Sequence, residues 1–118
     1  MAPPSQLSIA TGSVIRLLKE ETSYRTELEG QRKRLRILEA ESGDDEEGNR
    51  AWNIGQQARA IQETEAVFGP LRERINTALG GLESLLQASE EGRGDGSSEE
   101  EIEKARGAVE KAKSAASA

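Results

Sequence analysis

The sequence predicts an all-α fold, an elongated antiparallel three-helix bundle of coiled-coil type whose second helix is kinked at Pro70. Three observations predict it. Apolar residues from Ile54 to Leu85 recur three and four apart without a slip, the spacing of a helix that buries one stripe. Two polar, glycine-bearing stretches, residues 42–48 and 90–96, divide the chain into three periodic segments. Of 118 residues, 34% are apolar, 32% charged and only 3% aromatic. That composition suits long helices and a narrow core rather than sheet.

Residues 1–10 read as a flexible N-terminus, followed by a single three-helix domain over residues 11–118. A hydroxyl at residues 11–13 would cap the first helix, which runs to about residue 41. Val14, Leu17, Tyr24, Leu28, Leu35 and Leu38 form its seam, with Leu18 alongside. Glu21 and Gln31 interrupt that seam, and polar residues at such positions fix register at some cost in stability. Tyr24 reads as a core residue rather than a catalytic acid. The acidic turn at residues 42–48 ends where Asn49 or Asn53 can cap the second helix, over about residues 50–88.

In that helix Ile54, Ile61, Phe68, Ile75 and Leu82 take one seam column. Gln57, Thr64, Leu71, Ala78 and Leu85 take the other, with Ala58, Leu79 and Leu86 widening the stripe. Proline normally ends a helix, but a chain reversal at Gly69-Pro70 would have no reason to keep this register. Pro70 falls at an outward position, so its missing hydrogen bond lies on the solvent side and the helix can bow. A flexible linker over about residues 89–97 follows. Ser98 with Glu101 is a capping box; it opens a third helix over about residues 98–116, carrying Ile102, Ala105, Val109, Ala112 and Ala116. That stripe is mostly alanine, so the third helix should be the most weakly docked of the three. Apolar surface near Leu18, Leu79 and Leu86 would either receive it or pair two molecules, leaving monomer and homodimer both open.

Several function classes are excluded by what the chain lacks. It has neither cysteine nor histidine, which removes thiolate and imidazole catalysis and zinc sites of the Cys/His kind. Glu-x-x-His di-iron sites are excluded too. Gly80-Gly81 is followed by Leu82 and Glu83, so there is no phosphate-binding loop. Aligning Gly48 with the invariant glycine of an EF-hand puts Gly43 where a ligating aspartate is required. The reading is therefore a non-enzyme without cofactor or metal. The formal net charge of −6 argues against nucleic acid, and no apolar run approaches a membrane span.

The charge is uneven: Arg32, Lys33, Arg34 and Arg36 form a basic cluster that reads as a solvated helix face or as a contact surface for an acidic partner. Gly12, Gly30, Gly55, Gly69, Gly80, Gly81 and Gly107 all fall off the seam, as tolerated exposed positions, with Gly80-Gly81 the candidate for functional give. Trp52 is also off the seam, and reads as packing over the acidic turn or as a partner contact.

One segment carries a resemblance. Thr11-Gly12-Ser13-Val14-Ile15-Arg16-Leu17-Leu18-Lys19-Glu20, with Tyr24 following, resembles the opening helix of the tubulin folding cofactor A (tubulin-specific chaperone A) family. Gln57-Ala58, Ile61-Gln62-Glu63-Thr64, Pro70 and the stretch 72–86 resemble that family's middle helix. The likeness covers about residues 9–87. The acidic turn looks longer than the family's, and the third helix matches in type only.

The resemblance implies a cytoplasmic, cytoskeleton-associated chaperone that works without nucleotide. It would capture β-tubulin folding intermediates on the way to the αβ-heterodimer, with other tubulin-folding cofactors as further partners and neither nucleic acid nor membrane among them. The bundle uses its own apolar seam, so recognition would fall to outward charged residues. Arg16, Lys19 and Glu20 are the first candidates, at outward positions inside the matching segment; Arg32, Lys33, Arg36, Glu63, Arg72 and Glu73 are the second. The alternative is a structural or adaptor three-helix coiled coil, which the seam alone does not separate from a chaperone.

Overall fold

A computed structural model describes residues 3–41, 43, 45, 48–94 and 96–117. Asp44, Glu46 and Glu47 of the acidic turn and Asp95 of the linker lie outside the described residues. Three helices account for most of the chain: α1 (Gln6–Ala40), α2 (Asn49–Glu90) and α3 (Glu99–Ser117). No strand occurs among the described residues. α2 runs as one helix through Pro70, as the unbroken register requires.

Each helix starts at a side-chain cap. α1 begins at Gln6, not at residues 11–13, so residues 6–10 are helix rather than a flexible tail. Ser5 is its cap, accepting the Ser8 N–H at 3.0 Å. Thr11 and Ser13, the expected caps, instead donate to carbonyls one turn back, Leu7 O at 2.8 Å and Ile9 O at 3.2 Å, as hydroxyls inside a helix do. The physical reason for the early start is Leu7, one heptad before Val14 and only 1% exposed; burying it repays ordering one more turn.

At α2 the cap is the Asp45 carboxylate, whose two oxygens accept the Asn49 and Arg50 N–H groups at 3.1 and 3.0 Å. A carboxylate there answers the helix dipole better than the neutral Asn49 or Asn53 named from sequence. Ser98 and Glu101 close the expected capping box on α3: Ser98 N–H donates to Glu101 Oε1 at 3.0 Å, and Glu101 N–H to Ser98 Oγ at 3.2 Å. The other Glu101 oxygen accepts the Ser5 hydroxyl, which ties the starts of α1 and α3 together.

α2 ends in a Schellman motif. Arg93 N–H reaches Ala88 O at 2.7 Å and Gly92 N–H reaches Ser89 O at 3.2 Å, with Gly92 at φ 75°, a left-handed backbone that favours glycine. Two residues on, a Cβ at Gly94 would lie 2.6 Å from Ser89 Oγ, so the linker folds back where only glycine fits. Beside it, Arg93 and then Gln87 hydrogen-bond the Glu91 carboxylate and hold its pKa below the ordinary carboxylate value.

Within the stretch that the sequence presents as one three-helix domain, the chain divides into two compact units. The first, Met1–Glu20 with Leu71–Ala118, contains all of α3; the second is Glu21–Pro70. The cause is length: α3 has 19 residues against 35 and 42 in α1 and α2, so it can add a third helix to only part of their run.

In the first unit Leu7 and Val14 from α1, Leu82 and Leu86 from α2, and Ala105, Ala108, Val109 and Ala112 from α3 make a continuous core. Leu18 and Leu79 pack against it, so the apolar surface that the sequence left over receives α3. Ala108, absent from the expected stripe, is buried, while Ala116 is exposed. Arg106 Nε bonds Glu90 at 3.0 Å and Lys113 sits 3.8 Å from Glu83; rising numbers on α3 meet falling numbers on α2, so the two are antiparallel.

In the second unit Tyr24 meets Phe68 edge to face at 6.4 Å, and Gln57 Nε2 donates to the Gln31 carbonyl at 3.1 Å. The same reversed numbering makes α1 and α2 antiparallel. Leu28 and Ile61 are buried here beside the polar Glu21, Gln31 and Thr64. Glu21, 3% exposed, pairs with Arg25 at 3.3 Å.

Three outcomes follow from this packing. Leu7→Ala should lower unfolding free energy by about 2–5 kcal/mol in urea titrations, an effect that a dispensable tail would not show. Gly80→Ala should raise it by about 0.5–1 kcal/mol, since a Cβ there meets nothing within 4 Å. Amide exchange should be fastest, among the three helices, in α3, which buries three alanines and a single valine.

Candidate partner-binding surface

With both seam columns of α2 buried or half-buried from Ile54 to Leu86, what the helices offer outward is charge. Among the described residues no group of three or more acidic side chains is placed to hold a metal ion. No helix is long and apolar enough to cross a membrane.

Arg16, Lys19 and Glu20 are all exposed on α1. Ser13, held by its bond to Ile9 O, accepts a hydrogen bond from Arg16 Nη2 at 3.4 Å. Arg16 and Glu20 then line one side of an open depression of about 390 Å³, with Ser13 and Leu17, while Arg74 lines it from α2. Lys19 is not part of that lining. A second depression, of about 400 Å³, lies along α1 in the other unit and is lined by Arg25, Leu28, Glu29, Arg32 and Arg36. Arg32 also reaches Glu65 on α2 at 3.5 Å; such an exposed pair is worth less than about 1 kcal/mol.

The remaining sequence candidates are not drawn into these depressions. Lys33, Glu63 and Glu73 are exposed on their helices. Arg72 is half-buried, and its Nη1 is enclosed without a hydrogen-bond partner, a packed side chain more than a free contact. The heptad carries the reason: Arg72 stands in the column of Ala58, Leu79 and Leu86, the one that widens the seam, so its stem covers apolar surface.

Sequence reasoning passed over Arg74 and Arg25, although it named Glu20 and Arg32 from flanking columns. Both flank the seam. In an antiparallel pair the flanking columns of two helices face each other: Arg32 and Glu65 meet in this way on one side. Ser13 and Glu20 share such a column on α1, and Arg74 stands in the corresponding column of α2. That pairing was legible from the register. Trp52, for which packing over the turn was one expectation, is 65% exposed instead, and Ile9 and Ile37 are likewise more than half exposed.

These features can be set beside known proteins. The family model for tubulin binding cofactor A matches residues 2–109. Tubulin-specific chaperone A of Gallus gallus is 32% identical over 93 residues, covering 77% of this chain and 81% of that protein. The Homo sapiens protein of the same name is 30% identical over 89 residues, covering 74% and 77%. A crystal structure of tubulin folding cofactor A from Arabidopsis thaliana superposes with a TM-score of 0.74 at 26% identity, covering 92% of each chain. Its fold agrees with the three helices described above, and on the family match over residues 2–109 the chain belongs to the tubulin binding cofactor A family.

Proposed function

We propose that this chain is a cytoplasmic tubulin-folding chaperone that holds β-tubulin folding intermediates, without nucleotide and without turnover, until they enter the αβ-heterodimer. The observation that carries the reading is the match of residues 2–109 to a family named for tubulin binding. The physical form of the surface favours holding over catalysis. Its exposed guanidinium, ammonium and carboxylate side chains suit complementary charge on a partner. Arg16, Lys19 and Glu20 are the first contacts in this reading, with Arg32, Lys33, Arg36, Glu63 and Glu73 as outlying ones; Arg72 serves packing.

The apolar residues that could have joined two copies are covered by α3 in this chain, which favours a client-binding chaperone acting as a single copy. A structural or adaptor coiled coil would share the seam but has no reason to share the family match. Contacts to other tubulin-folding cofactors would follow handover of the client.

Two measurements test the reading. Immobilised chain should retain newly translated β-tubulin and not α-tubulin; equal retention of both, or of neither, would contradict it. The double reversal Arg16→Glu with Lys19→Glu should weaken β-tubulin retention by about tenfold or more, with helicity by circular dichroism unchanged. Helicity falling together with retention would make those residues structural.

A further inference from the structure

We infer that Arg74 of α2 and Arg16 of α1 form a clamp for closely spaced carboxylates, a subsite that takes an acidic segment of the client. The inference rests on the chaperone reading for its client, but the chemistry of the subsite stands on the side chains themselves. Several arginines already have carboxylates: Arg25 has Glu21, Arg32 has Glu65, and Arg106 has Glu90 and Glu103. What sets Arg16 and Arg74 apart from Arg34 and Arg59, unpaired among the described residues, is a shared depression. The Glu90 and Glu103 hydrogen bonds raise the Arg106 pKa above its ordinary value. Among the described residues Arg16 bonds only the Ser13 hydroxyl, and Arg74 has no hydrogen-bond or ion-pair partner. Both nevertheless line one depression, from different helices, and Leu17 lines it with them.

A guanidinium presents a planar fork that matches a carboxylate with two parallel hydrogen bonds, and it sheds water more readily than an ammonium. Two such forks beside an apolar side chain suit a segment with two acidic residues near each other and a methylene stem to lay on Leu17. Glu20, on the same wall as Arg16, leaves the depression with two positive groups against one negative. Its like charge turns an incoming carboxylate towards Arg16 and Arg74, so Glu20 sets orientation rather than affinity.

The test uses the full chain with Arg74→Glu, Arg74→Lys and Arg74→Ala, and with Arg59→Glu as a charge-matched control at another exposed position of α2. Retention of newly translated β-tubulin is one readout. The other is the shift of the arginine Nε–H NMR signals on titration with a hexaglutamate peptide. Arg74→Glu should lower retention by about tenfold or more, Arg74→Ala and Arg74→Lys less, and Arg59→Glu hardly at all; hexaglutamate should move the Arg16 and Arg74 signals of the unsubstituted chain. Equal losses from Arg74→Glu and Arg59→Glu would overturn the clamp as a client site. Unmoved Arg16 and Arg74 signals would overturn it as a carboxylate site. If the unsubstituted chain retains no tubulin, the chaperone reading fails by itself, and the peptide titration still decides the clamp. Thermal melts matching the unsubstituted chain exclude misfolding as the cause of any loss.

Discussion

Pairing of α1 with α2 along a heptad seam, within each of the two units, is the constraint from which the other features follow. Each turn of either helix contributes one or two side chains to that line, and a helix of such modest apolar content has little else to bury. Once Val14, Leu28, Ile61, Leu71, Ile75 and Leu82 are in the seam, the outward columns are left mostly to charged and small polar residues, with Ile9, Ile37 and Trp52 as isolated apolar exceptions. The charged exterior is thus a consequence of how few apolar residues the chain has, and it is the chemistry on which the proposed function draws. A greasy client groove would need a second apolar stripe that these helices lack.

Along the seam the two units differ in what they bury. Among the described residues four polar side chains are buried: Glu21, Gln31 and Thr64 belong to Glu21–Pro70 and Thr11 to the other unit. Thr11 is satisfied locally by the Leu7 carbonyl, whereas Gln31 leaves its Oε1 enclosed without a partner. An unmatched buried carbonyl costs about 1–3 kcal/mol. In return, polar seam groups disfavour any slip of one helix against the other, since a slip would place them against apolar neighbours. The unit with α3 gains apolar burial; the unit without it gains definition of register. Ser5 and Glu101 add a further tie in the first unit, joining the cap of α1 to the capping box of α3.

How much of this was legible depends on whether the deciding physics is periodic. The seam of α2, its passage through Pro70, the polar seam positions and the Ser98–Glu101 box all follow from spacing, and each stands where spacing puts it. The early start of α1 was missed because the hydroxyls at 11 and 13 look like caps, while the real signal was Leu7, seven residues before Val14. Asp45 as the cap of α2 was hidden by the two asparagines nearer the helix. Arg74 was missed although Glu20 and Arg32 were named from flanking columns, the ones that meet across an antiparallel pair. The division into two units came from a difference in helix length that periodicity does not register.

If the proposed client is held by charge on the exterior, its retention must depend on salt. Retention of β-tubulin by the full chain would be measured from low salt to about 0.5 M sodium chloride, where screening shortens the reach of exposed charges to a few ångströms. A client held by exterior charge should show a steep and continuous fall in affinity with rising salt. Affinity that is unchanged, or that strengthens as salt rises, would mean that apolar burial holds the client and would contradict retention by charge.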